Sequence, residues 1–188
     1  IVSLLDHDAP ERRAAAAIIL GELAVDSSEA LDALRRAIKR TDDAELRLRG
    51  AEALGASGTQ TIVKDLRPLL KDPDPRVQKM AKHVLATSEA ISTGDIATML
   101  DSKDDKQRVG AIAVLGARGG PAERRTLIEQ LNGASNRIGE AVVEALEPML
   151  SGLEDHEMHG ALEDLRTLID AELLEDAALA GRVVELLS

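Results

Sequence analysis

The stretch Leu70–Ala86, LKDPDPRVQKMAKHVLA, decides how the chain is read. Lys71 to Pro75 reads as a turn in which Asp74 caps the following helix and Pro75 occupies its first turn, where a missing N–H costs nothing. Beyond the turn, Val77, Met80, Ala81, Val84 and Leu85 fall at i, i+3, i+4, i+7 and i+8, one apolar face of a helix. Ahead of it, Ile62, Val63, Leu66, Leu69 and Leu70 fall at i, i+1, i+4, i+7 and i+8, the face of a second helix. Neither helix hides its stripe alone, so the pair must stack on neighbouring pairs.

Such neighbours are written along the chain. A Leu-Gly or Leu-Ala pair recurs at Leu20-Gly21, Leu54-Gly55, Leu85-Ala86 and Leu115-Gly116, with Leu146 next, at spacings of 34, 31, 30 and 31 residues. Another leucine stands 15 residues ahead of four of these, at Leu5, Leu70, Leu100 and Leu131. The expected fold is all-α, a right-handed α-solenoid of about five antiparallel helix pairs over residues 1–150, with Ile1–Leu5 the tail of a truncated first helix. Past Leu146 the period breaks. A helix over residues 155–170, with Met158, Leu162, Leu165, Leu168 and Ile169 on one face, and another over 171–187 form an expected acidic capping pair, residues 151–188, of the same solenoid.

Leu70, Asp72, Pro73, Asp74, Val77, Ala81 and Leu85 together resemble the motif of HEAT repeats, in particular the short bacterial and cyanobacterial type related to phycobilin lyase subunits. The first period carries Leu5, Pro10, Arg13, Ala16, Leu20 and Gly21; the second Asp42, Arg47, Gly50, Leu54 and Gly55; the fourth Leu100, Asp104, Arg108, Ala111 and Leu115. The fifth is weaker, with Gly133 in the turn and Arg137 displaced. The resemblance implies a structural ladder between repeats, with Arg13, Arg47 and Arg108 as donors and Asp42 and Asp72 as acceptors; Gln78 departs from the pattern. It also implies that the second helix of each repeat lines a concave surface.

Composition narrows the function. The chain of 188 residues is 44% hydrophobic with no Phe, Tyr or Trp, and Ala and Leu supply 57 residues, which suits closely packed helices. Without aromatic rings there is no stacking platform for single-stranded nucleic acid. Without cysteine there is no disulfide, thiolate nucleophile or thiolate zinc site. The net charge is −11, and residues 138–188 carry 13 acids against Arg166 and Arg182 alone, which makes duplex nucleic acid a poor partner. No apolar run approaches the roughly 18 residues that span a bilayer, and the N-terminus shows no basic region followed by an apolar segment and a cleavage site, so a cytoplasmic segment without membrane insertion is expected. The start at Ile1 suggests a piece of a larger bacterial protein.

No nucleophile elbow, phosphate loop or dinucleotide fingerprint occurs, and no cofactor is expected. Asp42-Asp43 and Asp104-Asp105 have capping roles available. His156 and His159 form a weak metal candidate beside Glu154 and Glu157, set against a polar helix start whose acids favour the helix dipole. On the second helices, shifting Lys79 by the repeat spacing reaches Ala14, Leu48 and Val109; shifting Lys82 reaches Ala17, Ala51 and Ile112. Leu48, Val109 and Ile112, edged by Arg49, Lys79, Lys82, His83 and Lys106, thus form a candidate partner groove, with burial of Val109 and Ile112 in the stack as the alternative. The expected function is a non-catalytic scaffold or regulatory domain that binds a protein or peptide. The resemblance also implies an alternative, an accessory factor for attaching a chromophore or prosthetic group, against which the missing aromatics and cysteine count. The acidic terminal pair is either a surface for a basic partner or a solvated cap.

Overall fold

The computed structural model describes the chain except residues 25, 41, 60, 152, 169–180, 183, 184 and 186–188, and the side chains of residues 155, 156 and 168. Among the described residues it is all-helical, without a strand: α1 (Pro10–Ala24), α2 (Ser28–Ala37), α3 (Ala44–Ala56), α4 (Ile62–Leu66), α5 (Pro75–Thr87), α6 (Thr93–Ala97), α7 (Asp105–Arg118), α8 (Pro121–Glu129), α9 (Asn136–Ser151) and α10 (Asp155–Leu168), with 3₁₀ turns at Val2–Asp6 and Arg67–Lys71. It forms two compact units, Ile1–Asp95 and Ile96–Ser188.

In the first unit α1 packs on α3 and α3 on α5, while α2 lies against both α1 and α3, and α4 with Arg67–Lys71 lies against α5. In the second, α7 packs on α9, α8 touches both, and α10 packs on α8. Leu20, Leu54, Leu85, Leu115 and Leu146, the leucines that mark the period, are each 2% exposed or less. The core between helices is aliphatic throughout, so it is filled by many small contacts rather than by a few large rings.

The turns follow from their capping residues. Asp74 accepts the Arg76 N–H at 2.8 Å ahead of Pro75, and hydrogen bonds from the Arg76 side chain and backbone hold its carboxyl below the ordinary aspartate range. Asp43 caps α3 through the Leu46 N–H at 2.9 Å, and Asp104 caps α7 through the Lys106 N–H at 3.0 Å. Helix α7 ends on Gly119 at φ +75°, a left-handed conformation that a side chain would strain, and Pro121 opens α8.

The sequence reading of one helix over 62–70 is corrected. The α-helix stops at Leu66 because Pro68 has no N–H to return to the Lys64 carbonyl, and the chain tightens into a 3₁₀ turn. Val2–Asp6 is likewise a 3₁₀ turn. In α10 Ala161 and Leu165 are buried, whereas the expected helix over 171–187 lies, apart from residues 181, 182 and 185, outside the described residues.

Arginines fasten turn to turn. Arg13 donates to Asp43 at 2.6 Å and to the carbonyls of His7 and Asp8 at 2.8 and 2.9 Å. Arg47 donates to both oxygens of Asp72 at 2.8 and 2.9 Å and to the Arg40 carbonyl at 2.7 Å. Its guanidinium is raised above its usual pKa by the Asp72 bonds, which outweigh burial. Each guanidinium therefore clamps its own turn with one arm and the next turn with the other. Gln78 keeps the first arm, donating to the Asp72 carbonyl at 2.6 Å.

Two expected members of this ladder are corrected. Asp42 is exposed and pairs with Arg40 at 3.1 Å; the acceptor is its neighbour Asp43, the helix cap, whose side chain is folded under the helix end. Among the described residues Arg108 reaches only Asp105 of its own helix, at 3.6 Å, and its buried Nε has no partner. The next turn, Asn132 to Ser135, carries no carboxylate to receive it.

Asp72→Asn is expected to cost about 3 kcal/mol, because it strands the buried Arg47 charge, and the double variant Arg47→Met with Asp72→Asn is expected to recover part of that loss in urea unfolding. Additive losses would contradict a paired role.

Candidate functional site

Three glycines set the distance between successive second helices. A Cβ on Gly21 would lie 2.8 Å from the Cβ of Ala53, one on Gly55 would lie 2.7 Å from a methyl of Val84, and one on Gly116 would lie 2.9 Å from the Cβ of Ala145. In each case the partner stands two residues ahead of the place where its own helix aligns with that glycine. Hydrogen in place of a side chain brings the backbones together, and a groove is left beside each contact line.

The α1/α3 groove encloses about 240 Å³ and is lined by Ile18, Glu22, Arg49, Glu52 and Ala56. The α3/α5 groove, about 320 Å³, is lined by Glu52, Met80, His83 and Thr87. Much of the charge here is already matched, since Arg49 bonds Glu45 at 3.0 Å and Glu52 at 2.9 Å along its own helix. The α7/α9 groove is larger, about 460 Å³, and different in character. Val109, Ala113, Ala117, Ala141, Ala145 and Pro148 make it apolar, and among the described residues Glu144 is the one ionisable side chain along its walls.

These positions shift the sequence-derived register. The groove residues Ile18, Glu52, His83, Ala113 and Glu144 stand three residues ahead of the small residue, or its equivalent, that closes each repeat. Residues one position earlier turn about 100° away, into the stack. Ala17 and Ala51 are fully buried there and Ile112 is 1% exposed, so Ile112 is core and not part of a surface groove. Lys82, at the same position, is half-buried.

Of the other sequence-derived residues, Val109 lines the α7/α9 groove, Arg49 the α1/α3 groove and His83 the α3/α5 groove. Leu48 is half-buried; Lys79 and Lys106 are exposed. Ile18, 49% exposed, was missed, although it aligns with Glu52 at the 34-residue spacing. His159 is exposed, while the side chain of His156 lies outside the described residues. Among the described residues no group of three or more His, Cys, Asp or Glu is placed to hold a metal ion, and no helix is long and apolar enough to cross a membrane.

Residues 37–95, from the end of α2 to α6, match the family model of HEAT repeats. Among solved structures the chain is similar to an archaeal HEAT-like repeats protein from Thermococcus onnurineus NA1, with 17% identity over 99% of this chain and 84% of the other and a TM-score of 0.48. It is similar to the complex of CpcE and CpcF of phycocyanin lyase from Nostoc sp. PCC7120, with 21% identity over 99% and 91% and a TM-score of 0.48. A designed armadillo repeat protein in complex with the peptide (KR)4 matches with 18% identity over 100% and 98% and a TM-score of 0.40. No curated protein matches the chain.

Two adjacent residues test the corrected face. Ile112→Ala is expected to cost about 2 to 4 kcal/mol, because it opens a cavity, whereas Ala113→Ser is expected to stay within about 0.5 kcal/mol. Urea unfolding of both variants checks the assignment; equal effects would return Ile112 to the surface.

Proposed function

We propose that this chain is a non-catalytic protein-interaction module, a scaffold or regulatory segment whose second helices receive a protein or peptide. The observation that carries the reading is the α7/α9 groove. Its walls are half-exposed methyl groups, from Val109 and Ala113 on one helix and from Ala141 and Ala145 on the other. A row of small side chains lets a partner's backbone or side chains approach closely, and removal of that apolar surface from water supplies the driving force. The scaffold is already ordered by helix packing, so the ordering cost falls mainly on the partner.

The groove chemistry favours binding over catalysis. Among the described residues its ionisable side chain, Glu144, has no second acid, base or nucleophile beside it in the groove, and general acid–base or covalent catalysis needs convergent groups. The acidic segment from α10 onward supports a second element of the reading, a divergent cap that ends the stack and keeps it soluble. A cytoplasmic setting fits the same features.

The chain has no cysteine, so Ala117→Cys and Ala113→Cys each create one attachment point for a photo-crosslinker. In lysate of the source cells, both are expected to trap the same polypeptide, while Glu129→Cys, on the exposed face of α8, is not. Trapping through Glu129→Cys alone would overturn the reading.

A further inference from the structure

Glu144 is unusual within the α7/α9 groove. Its carboxylate is exposed and, among the described residues, no side chain pairs with it; Glu140, one turn earlier on the same helix, is exposed and equally unpaired. Glu147 differs, being tied to Arg182 at 3.0 Å. One turn beyond Glu144 stands Pro148, inside α9 and on the groove wall. Proline has no N–H, so the carbonyl of Glu144, four residues back, is left without its intrahelical donor. Glu144 offers the groove an exposed carboxylate with no donor to match it.

The basic residues of the two helices do not fill this need. Lys106 and Arg137 belong to the first turns of α7 and α9, at the opposite end from Pro148, and Arg118 is half-buried with its Nε in the interior. The surrounding walls are methyl groups of Ala113, Ala117, Ala141 and Ala145. An exposed carboxylate on the wall of an aliphatic trough suits a donor-rich cation carried on a methylene stem.

We propose that the α7/α9 groove is a receptor for a basic side chain, a lysine or arginine of a partner polypeptide, whose stem lies on the alanines and whose head pairs with the Glu144 carboxylate. This deepens the groove reading above and rests on it. Glu140 adds a second negative charge one turn away, which favours a partner with more than one basic residue and repels nucleic acid.

The test is fluorescence anisotropy of a labelled eight-residue peptide of alternating alanine and lysine, titrated with the full chain at physiological salt. Because the chain is acidic overall, the control must have the same net charge. Glu140→Gln with Glu144→Gln is expected to weaken binding about tenfold. Glu11→Gln with Glu29→Gln, exposed acids of the other unit, is expected to change it less than twofold, and a norleucine version of the peptide is expected not to bind. Equal weakening by both pairs, no loss from the Glu144 pair, or no binding to the parent chain would each overturn the proposal. The groove reading fails separately. If Ala117→Cys still traps its polypeptide when Glu144 is Gln, the groove stands and the basic side chain is rejected.

Discussion

Everything in this structure depends on how closely one second helix lies on the next. Gly21 against Ala53, Gly55 against Val84 and Gly116 against Ala145 are contacts in which a single added carbon would meet another at under 3 Å. Where the two neighbours are alanine, the backbones themselves are nearly in contact, and there is no flexible side chain to move aside. This approach explains the composition. Alanine-rich helices without aromatic residues pack at short separation, and the core is filled by leucines at the repeat period. The grooves are the outer margin of the same contacts, so their apolar walls follow from the requirement for small residues.

A second fastening acts at the turns. Arg13 and Arg47 each hold two turns at once, and burial makes these pairs costly to break on one side only. Their role is registration, since an ion pair withdrawn from water adds little net stability but tolerates one geometry. The ladder does not run on unchanged. Gln78 retains the arm to its own turn, and Arg108 has no carboxylate in the turn that follows it, so apolar packing carries the α7/α9 contact.

The fold was legible because each level of Leu70–Ala86 agrees with the others: turn residues, cap, one-sided stripe and period. What was less legible has specific physical causes. A repeat period says which residues are equivalent but not which way they point, and one residue of helix is a 100° rotation. That single step separates Ile112, in the core, from Ala113, in the groove. The choice of Asp42 over Asp43 failed for a related reason, since the capping residue alone is drawn under the helix end. Pro68 was a visible signal for the 3₁₀ turn at Arg67–Lys71 that the hydrophobic pattern overrode. The site itself was half visible. Val109 was placed by its spacing, whereas the unpaired carboxylate of Glu144 gains its setting only from the groove that the packed α7 and α9 form.

The proposed function therefore rests on a spacing rule, small residue against small residue, with a charged exception in one groove. The most direct measurement of that rule is a double-mutant cycle in urea unfolding on Gly116→Ala and Ala145→Gly. Helix propensity alone makes Gly116→Ala stabilising by about 1 kcal/mol, but the account predicts net destabilisation of about 1 to 3 kcal/mol from overpacking. Adding Ala145→Gly should then return part of that loss, a coupling between the two sites. A Gly116→Ala variant more stable than the parent, with the two effects simply additive, would contradict it.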